Sequence, residues 1–242
     1  MSVKLFIMLI MVMPQIVAAQ VIMAAVDEFP PYVSETQKEA NMASEMVVAA
    51  FREVGYTVKF RWVPWKRAYE ELKSGKVDIS YPWRKTPLRE EDFLFSEPLY
   101  KSREVFFHRK DVEFSWDSLS ELKKYTIGGS LGYAHLELLG NAGLKVSTAK
   151  NDTMNMMKLY NGRIDLFPVD EHVGFYILST LPTDYQHSIV SYNPKALSET
   201  ENHLIVSKAN QENGEQLIEK FNKGLGIITE NGTLEEILAR HK

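Results

Sequence analysis

From Val21 onward the chain alternates between short β-rich runs and stretches whose apolar residues recur at helical spacing. Val21 to Val26 reads as a buried strand, bounded by the turn-forming run Asp27-Glu28-Phe29-Pro30-Pro31. Met42, Met46, Val47, Ala50, Phe51 and Val54 then share one helical face, and Gly55 stops that helix. Thr57 to Val63 is a second strand, Pro64 opens a helix through Ala68, Tyr69 and Leu72 to Gly75, and Val77 to Tyr81 is a third strand. Such a succession points to an α/β protein with parallel sheets and crossover helices.

The series then restarts. Glu104 to Phe107 is strand-like and ends at the charged break His108-Arg109-Lys110-Asp111. Tyr125 to Gly128 reads as a strand, Leu131 to Leu139 as a helix, and Leu144 to Thr148 as a further strand. A helix capped near Asn151 or Asp152 runs to Tyr160, Ile164 to Val169 is a strand, and a helix runs from about Asp170 to Leu178. This second block is a small α/β unit of its own. His187 to Tyr192 and Leu204 to Ser207 read as strands, and two helices separated by Asn231-Gly232 close the chain.

The first residues bear on compartment. Lys4 precedes the apolar run Leu5 to Met13, and Val17-Ala18-Ala19 offers small residues for cleavage. The run is shorter than the about 20 residues that span a bilayer. Residues 1–19 therefore read as a cleaved secretory peptide with Gln20 as the mature start, the alternative being an uncleaved anchor, and the expected location is periplasmic. The absence of cysteine excludes disulfides, thiolate metal sites and cysteine nucleophiles. A net charge of −4 supplies no basic field for nucleic acid or anionic lipid. The six histidines show no metal-binding spacing. Neither metal nor cofactor is expected, and the reading is of a monomer.

The order of several motifs resembles the bacterial extracellular solute-binding proteins of the amino-acid type, family 3. The most specific is Thr86-Pro87-Leu88-Arg89-Glu90-Glu91-Asp92-Phe93-Leu94-Phe95-Ser96-Glu97-Pro98-Leu99-Tyr100. Phe29-Pro30-Pro31-Tyr32, Val63-Pro64-Trp65, Gly75-Lys76-Val77-Asp78, Gly128-Gly129-Ser130-Leu131-Gly132-Tyr133 and Asn161-Gly162-Arg163-Ile164-Asp165 support it. The resemblance covers essentially the whole chain after the leader. It implies a type II periplasmic binding fold: two Rossmann-like lobes joined by two crossing strands, near Glu104 to Lys110 and Ser191 to His203. Lobe 1 would comprise 20–106 and 204–242, and lobe 2 107–203. It implies capture of a small amino-acid-like or other carboxylate-bearing ligand, without chemistry, for an ABC-type transporter or a sensor in the inner membrane.

Arg89 occupies the position of the arginine that binds the α-carboxylate in similar proteins, where a planar guanidinium can hold both oxygens. On spacing alone it reads equally as a solvated arginine beside Glu90, Glu91 and Asp92. Asp170, five residues after Asp165, matches the acid that receives the ligand's ammonium, and it also suits a helix N-cap. Gly132, Tyr133 and Ala134 form a glycine-rich turn whose backbone N–H groups can approach an anion. Phe29, Tyr32, Trp65 and Trp83 are candidate pocket walls. Pro82-Trp83-Arg84 departs from the family pattern of small hydroxyl residues, adding bulk at Trp83 and a second cation at Arg84, and so favours a larger, aromatic or more acidic solute.

Two enzymatic readings stand beside this one. Gly128-Gly129-Ser130-Leu131-Gly132 matches a nucleophile elbow, with Asp165 or Asp170 and then His172, His187 or His203 following in hydrolase order. A dehydratase on the same fold would use Asp170 or Glu171 as a general acid or base.

Overall fold

The computed structural model describes residues 20–241 apart from 38, 40 and 193. The expected leader, residues 1–19, lies outside the described residues. Strand β1 (Gln20–Val26) pairs in parallel with β2 (Tyr56–Trp62) in register from Gln20↔Tyr56 to Val26↔Trp62. On its other side β1 pairs in parallel with β3 (Ile79–Arg84). The crossover helices are α1 (Met42–Glu53), which buries Ala43, Met46, Val47, Ala50 and Phe51, and α2 (Trp65–Lys73). A short helix α3 (Pro87–Asp92) follows, capped by the Thr86 hydroxyl accepting from the Arg89 N–H at 3.3 Å. Proline at its first position costs no hydrogen bond.

Strand β4 (Phe93–Arg109) begins eleven residues before the expected Glu104, counting from Phe93. Pro98 hides it in the sequence, and the structure absorbs that proline with register shifts on either side. From Phe93 to Glu104 it runs antiparallel to β9 (Ser198–Ser207), which itself pairs antiparallel with β3. At Glu104 it takes a new partner, β7 (Leu166–Asp170), in register from Glu104↔Asp170 to His108↔Leu166. Beyond β7 lie β5 (Ile127–Ser130) and β6 (Val146–Ala149), and β8 (Ile189–Tyr192) pairs with the distal end of β4. The sheet order β2-β1-β3-β9-β4-β7-β5-β6 thus contains two α/β groups with β4 and β9 between them.

In the second group the helices are α4 (Ala134–Asn141), α5 (Asp152–Tyr160), α6 (Glu171–Thr180) and α7 (Thr183–Ser188). Its core gathers Phe106, Phe114, Trp116, Leu122, Ile127, Leu139, Leu144 and Leu166. Helix α8 (Gln211–Glu230) returns to the first group and packs on α1, where Gly224 approaches so closely that a Cβ would meet the Ala50 carbonyl oxygen at 2.0 Å. Helix α9 (Thr233–Arg240) ends the described chain. No helix of the described residues is long and apolar enough to cross a membrane.

Further boundaries differ from expectation. The strand expected from His187 starts only at Ile189, because Pro182 caps α7, which buries no side chain and so needs no alternating pattern. The helix expected from Leu131 starts at Ala134, because Gly132 lies in the left-handed region at φ +91° and holds the chain in a turn.

Candidate functional site

Where the two groups face each other lies a small, partly open cavity of about 50 Å³. Its aromatic wall is built by the first group. Phe29 projects from the loop after β1, pinned by backbone bonds to Val33. Trp65 opens α2, and its backbone N–H donates to Asp27 Oδ2 at 3.1 Å. Trp83, near the end of β3, meets Trp65 edge-on at 5.4 Å, and its indole N–H donates to Ser80 Oγ at 2.7 Å. From the second group, the turn after β5 contributes Gly132, Tyr133 and Ala134, and Tyr133 meets Phe29 edge-on at 6.1 Å.

Arg89 is 7% exposed and reaches this cavity with its guanidinium over the Trp83 ring at 4.7 Å. Nη1 donates to the Arg84 carbonyl oxygen at 2.8 Å and Nη2 to the Gly132 carbonyl oxygen at 2.8 Å. No ion pair to Arg89 forms among the described residues. Burial, with Arg84 beside it, pushes its pKa down to about 10, so it remains charged at neutral pH.

Asp170 ends β7 and is 2% exposed. Its Oδ1 accepts from the His172 and Val173 N–H groups at 3.0 and 3.2 Å, capping α6, and from the Tyr32 hydroxyl at 3.3 Å. Its Oδ2 is buried with no hydrogen-bond partner among the described residues. Burial raises its carboxyl above the usual range, although those bonds and the nearby Arg84 oppose the rise.

Arg84 also lines the cavity, but it is not a second unpaired cation. Its Nη1 donates to Glu104 Oε2 at 2.6 Å and to Ser198 Oγ at 3.1 Å. Burial disfavours its charge, and Glu104 more than offsets that penalty, leaving its pKa raised. Glu104 Oε1 lies 2.9 Å from His135 Nδ1, while His135 Nε2 accepts from the Ser130 N–H at 3.2 Å. That acceptor role assigns the ring proton to Nδ1, which therefore donates to Glu104. Burial alone would raise the Glu104 pKa, but Arg84 and His135 hold it down at about 2. The more acidic solute expected from an uncompensated Arg84 loses its basis.

Of the expected site residues, Arg89, Asp170, Phe29, Trp65, Trp83, Arg84, Gly132, Tyr133 and Ala134 meet at this cavity. Tyr32 does not line it. Its ring stacks on Tyr100 at 4.3 Å because the Phe29–Val33 bridge turns it inward, and it acts on Asp170 from behind. Glu104 and Asn202 line the cavity without having been singled out as site residues, and Pro82, noted only as part of the departure at Pro82-Trp83-Arg84, lines it too. Glu104 left one trace in the sequence, an acid abutting the apolar run Val105-Phe106-Phe107.

The hydrolase arrangement is absent. Ser130 is fully buried, its hydroxyl donates to Asp152 and accepts from Asn155 Nδ2, and its nearest histidine, His135, is bonded to the Ser130 backbone rather than to Oγ. Asp165 is occupied by the Thr126 N–H, and His203 by the Ser96 carbonyl oxygen. Of the Asp170–Glu171 pair only Asp170 lines the cavity; Glu171 pairs with Arg103 in a separate groove.

The arrangement presents a cation and an anion, each without an ionic partner, to a small aromatic-walled space. Such a site is complementary to a small molecule carrying both charges. The model of the bacterial extracellular solute-binding proteins, family 3, matches residues 21–242. The arginine-binding extracellular protein ArtP of Bacillus subtilis (strain 168) is 25% identical over 200 residues, covering 80% of this chain and 74% of that protein. Among solved structures, a histidine kinase sensor domain with similarity to periplasmic binding proteins superposes with a TM-score of 0.81 at 22% identity, over 92% of this chain and 96% of that one. The arginine-, lysine-, histidine-binding protein ArtJ from Geobacillus stearothermophilus gives 0.77 at 18% identity, over 90% and 94%. At these identities the structural likeness speaks to the fold.

Proposed function

Since the chain belongs to the bacterial extracellular solute-binding proteins of family 3, we propose that it captures a free amino acid or close analogue between its lobes and does no chemistry on it. The ligand's carboxylate is held by Arg89 and the backbone N–H groups of Gly132 and Ala134, since the Tyr133 N–H is committed to the Ser130 carbonyl oxygen at 3.1 Å, and its ammonium by Asp170. Phe29, Trp65 and Trp83 flank the remainder. The observation that carries this reading is the buried Asp170 Oδ2, which lacks a partner in a cavity that also holds Arg89. A buried acceptor without a bond is costly, and an ammonium in the cavity supplies that bond.

The lobes we assign are 20–106 with 204–242, and 107–203, moving about β4 and β9. Ligand contacts drawn from both lobes are complete only when the lobes meet, so a bound solute shifts the population toward closure. The closed protein would then hand its solute to an inner-membrane ABC-type transporter, or signal to a sensor, from the periplasm. Arginine is bound by the Bacillus subtilis relative, so it belongs among the solutes to try.

A thermal-shift screen of the chain from Gln20, refolded free of carried-over ligand, tests the reading. Amino acids, short peptides, aromatic acids and dicarboxylates form the panel. Ligand at a hundred times its Kd stabilises by about 2.7 kcal/mol. An amino acid that stabilises the protein and is recovered unchanged supports capture. Stabilisation by other classes alone, or consumption of the solute, overturns it.

A further inference from the structure

We infer that Glu104, positioned by His135, decides which charge class of solute the cavity accepts, by cancelling Arg84 so that only ligands whose cavity-bound groups balance are favoured. This rests on the reading that the cavity takes an amino-acid-like solute. It goes beyond that reading by assigning the discrimination to residues outside the Arg89–Asp170 pair.

Arg84 and Arg89 occupy one corner of the cavity, linked by the bond from Arg89 Nη1 to the Arg84 carbonyl oxygen at 2.8 Å. Two uncompensated guanidinium groups lining one cavity would favour a doubly negative solute. Glu104 prevents this. Its Oε2 accepts from Arg84 Nη1 at 2.6 Å and from Ser198 Oγ at 3.2 Å, and its Oε1 accepts from His135 Nδ1 at 2.9 Å. Both oxygens are committed, and the residue is 2% exposed. It therefore neither releases Arg84 nor turns to meet a ligand ammonium, which leaves that role to Asp170.

His135 makes the arrangement directional. The ring is 1% exposed and anchored at Nε2 by the Ser130 N–H at 3.2 Å, so its Nδ1–H points to Glu104. His135 does not line the cavity; it is a positioning residue that fixes the carboxylate on Arg84. The resulting balance is one compensated pair, Arg84–Glu104, beside one cation and one anion left for the ligand.

Two pairs of near-isosteric probes read this out: L-glutamate against L-glutamine, and L-arginine against L-citrulline. Affinities are measured by calorimetry on the chain from Gln20, with a thermal-shift panel of all amino acids and succinate alongside. Removing a charge beside a desolvated ligand is expected to move selectivity about tenfold or more. Glu104→Gln should shift the glutamate-to-glutamine affinity ratio toward glutamate, and should bring succinate and aspartate into the panel's responders. Arg84→Gln should shift the arginine-to-citrulline ratio toward arginine, the opposite sense of charge. His135→Gln should move the glutamate ratio as Glu104→Gln does, by less. Because the two charge variants act in opposite directions, either one carries the test if the other fails to fold. A folded Glu104→Gln or Arg84→Gln that keeps the wild-type ratios and panel overturns the inference while amino-acid capture stands. If His135→Gln leaves the ratio unmoved, its positioning role falls. A wild-type protein that responds to no amino acid overturns both readings.

Discussion

The guanidinium of Arg89 donates from Nη2 to the carbonyl oxygen of Gly132 at 2.8 Å, tying α3 of one group to the turn after β5 of the other. The other Nη holds the Arg84 carbonyl, and the Trp83 ring lies beneath. The Arg84 carbonyl and the Trp83 ring belong to the same group as Arg89 and hold the fork at the cavity independently of the second group, which lowers the entropic cost of gripping a carboxylate. Arg89→Ala is expected to weaken amino-acid binding by roughly a hundredfold or more, since a charged anchor is removed from a desolvated site. Calorimetry checks this, and circular dichroism should show the fold retained. Arg89→Lys should fall in between, because the charge survives and the fork does not.

Gly132 supplies more than its carbonyl. A Cβ there would lie 3.1 Å from the Lys66 backbone nitrogen and 3.3 Å from Trp65 Cβ, and the residue sits at φ +91°. Gly132→Ala would strain the turn by about 1–2 kcal/mol and press a methyl group against α2. Reduced affinity, by roughly tenfold, with slower closure in stopped-flow tryptophan fluorescence, is the expected result. An unchanged closing rate would remove this contact from the closure mechanism.

Asp170 sets function against stability. A carboxyl whose folded pKa is raised contributes stability that is present below its unfolded value of 3.8 and lost as pH rises through the folded one. At neutral pH the buried carboxylate is therefore a cost. Asparagine keeps an oxygen for the His172 and Val173 N–H groups, so the cap on α6 survives. Asp170→Asn should abolish binding yet leave the empty protein as stable or raise its Tm by a few degrees, about 1 kcal/mol. Thermal unfolding of the ligand-free variant is the measurement; marked destabilisation would count against the cost assigned to Asp170.

The same carboxyl makes binding pH-dependent. A ligand ammonium is held by the ionised form, whereas the empty site favours the protonated form more than a solvated aspartate does. At a pH near or below that raised pKa, binding then releases a proton. Affinity should be full above the raised pKa and fall as pH drops through it, by up to about tenfold per unit. Calorimetry in two buffers of different ionisation enthalpy reads the proton directly, and Asp170→Asn should abolish the release.

Much of this architecture was legible in the chain. Apolar residues at helical spacing located α1, whose buried face is Ala43, Met46, Val47, Ala50 and Phe51. The motif from Thr86 to Tyr100 carried the family. It did not reveal that β4 runs unbroken through Pro98, because a proline inside a strand is tolerated only where bulges take it up, and bulges are set by the partner strand. Asp170 was legible twice, as a cap and as a pocket acid, and it lines the cavity while capping α6.

By itself the sequence determined the alternating elements and the α/β class, because periodicity and turn chemistry act over a few residues, whereas the residues gathered around the cavity were indicated by the resemblance to the family. Only the tertiary structure decided that Arg84 is neutralised, that Tyr32 stands behind Asp170, and that Ser130 is sealed in a buried network with Asp152 and Asn155. These outcomes depend on β4 exchanging β9 for β7 at Glu104, which brings that acid against Arg84 and opposite Asp170. Electrostatic partners acquire their values from distance and desolvation, and both are properties of the packed chain rather than of its order.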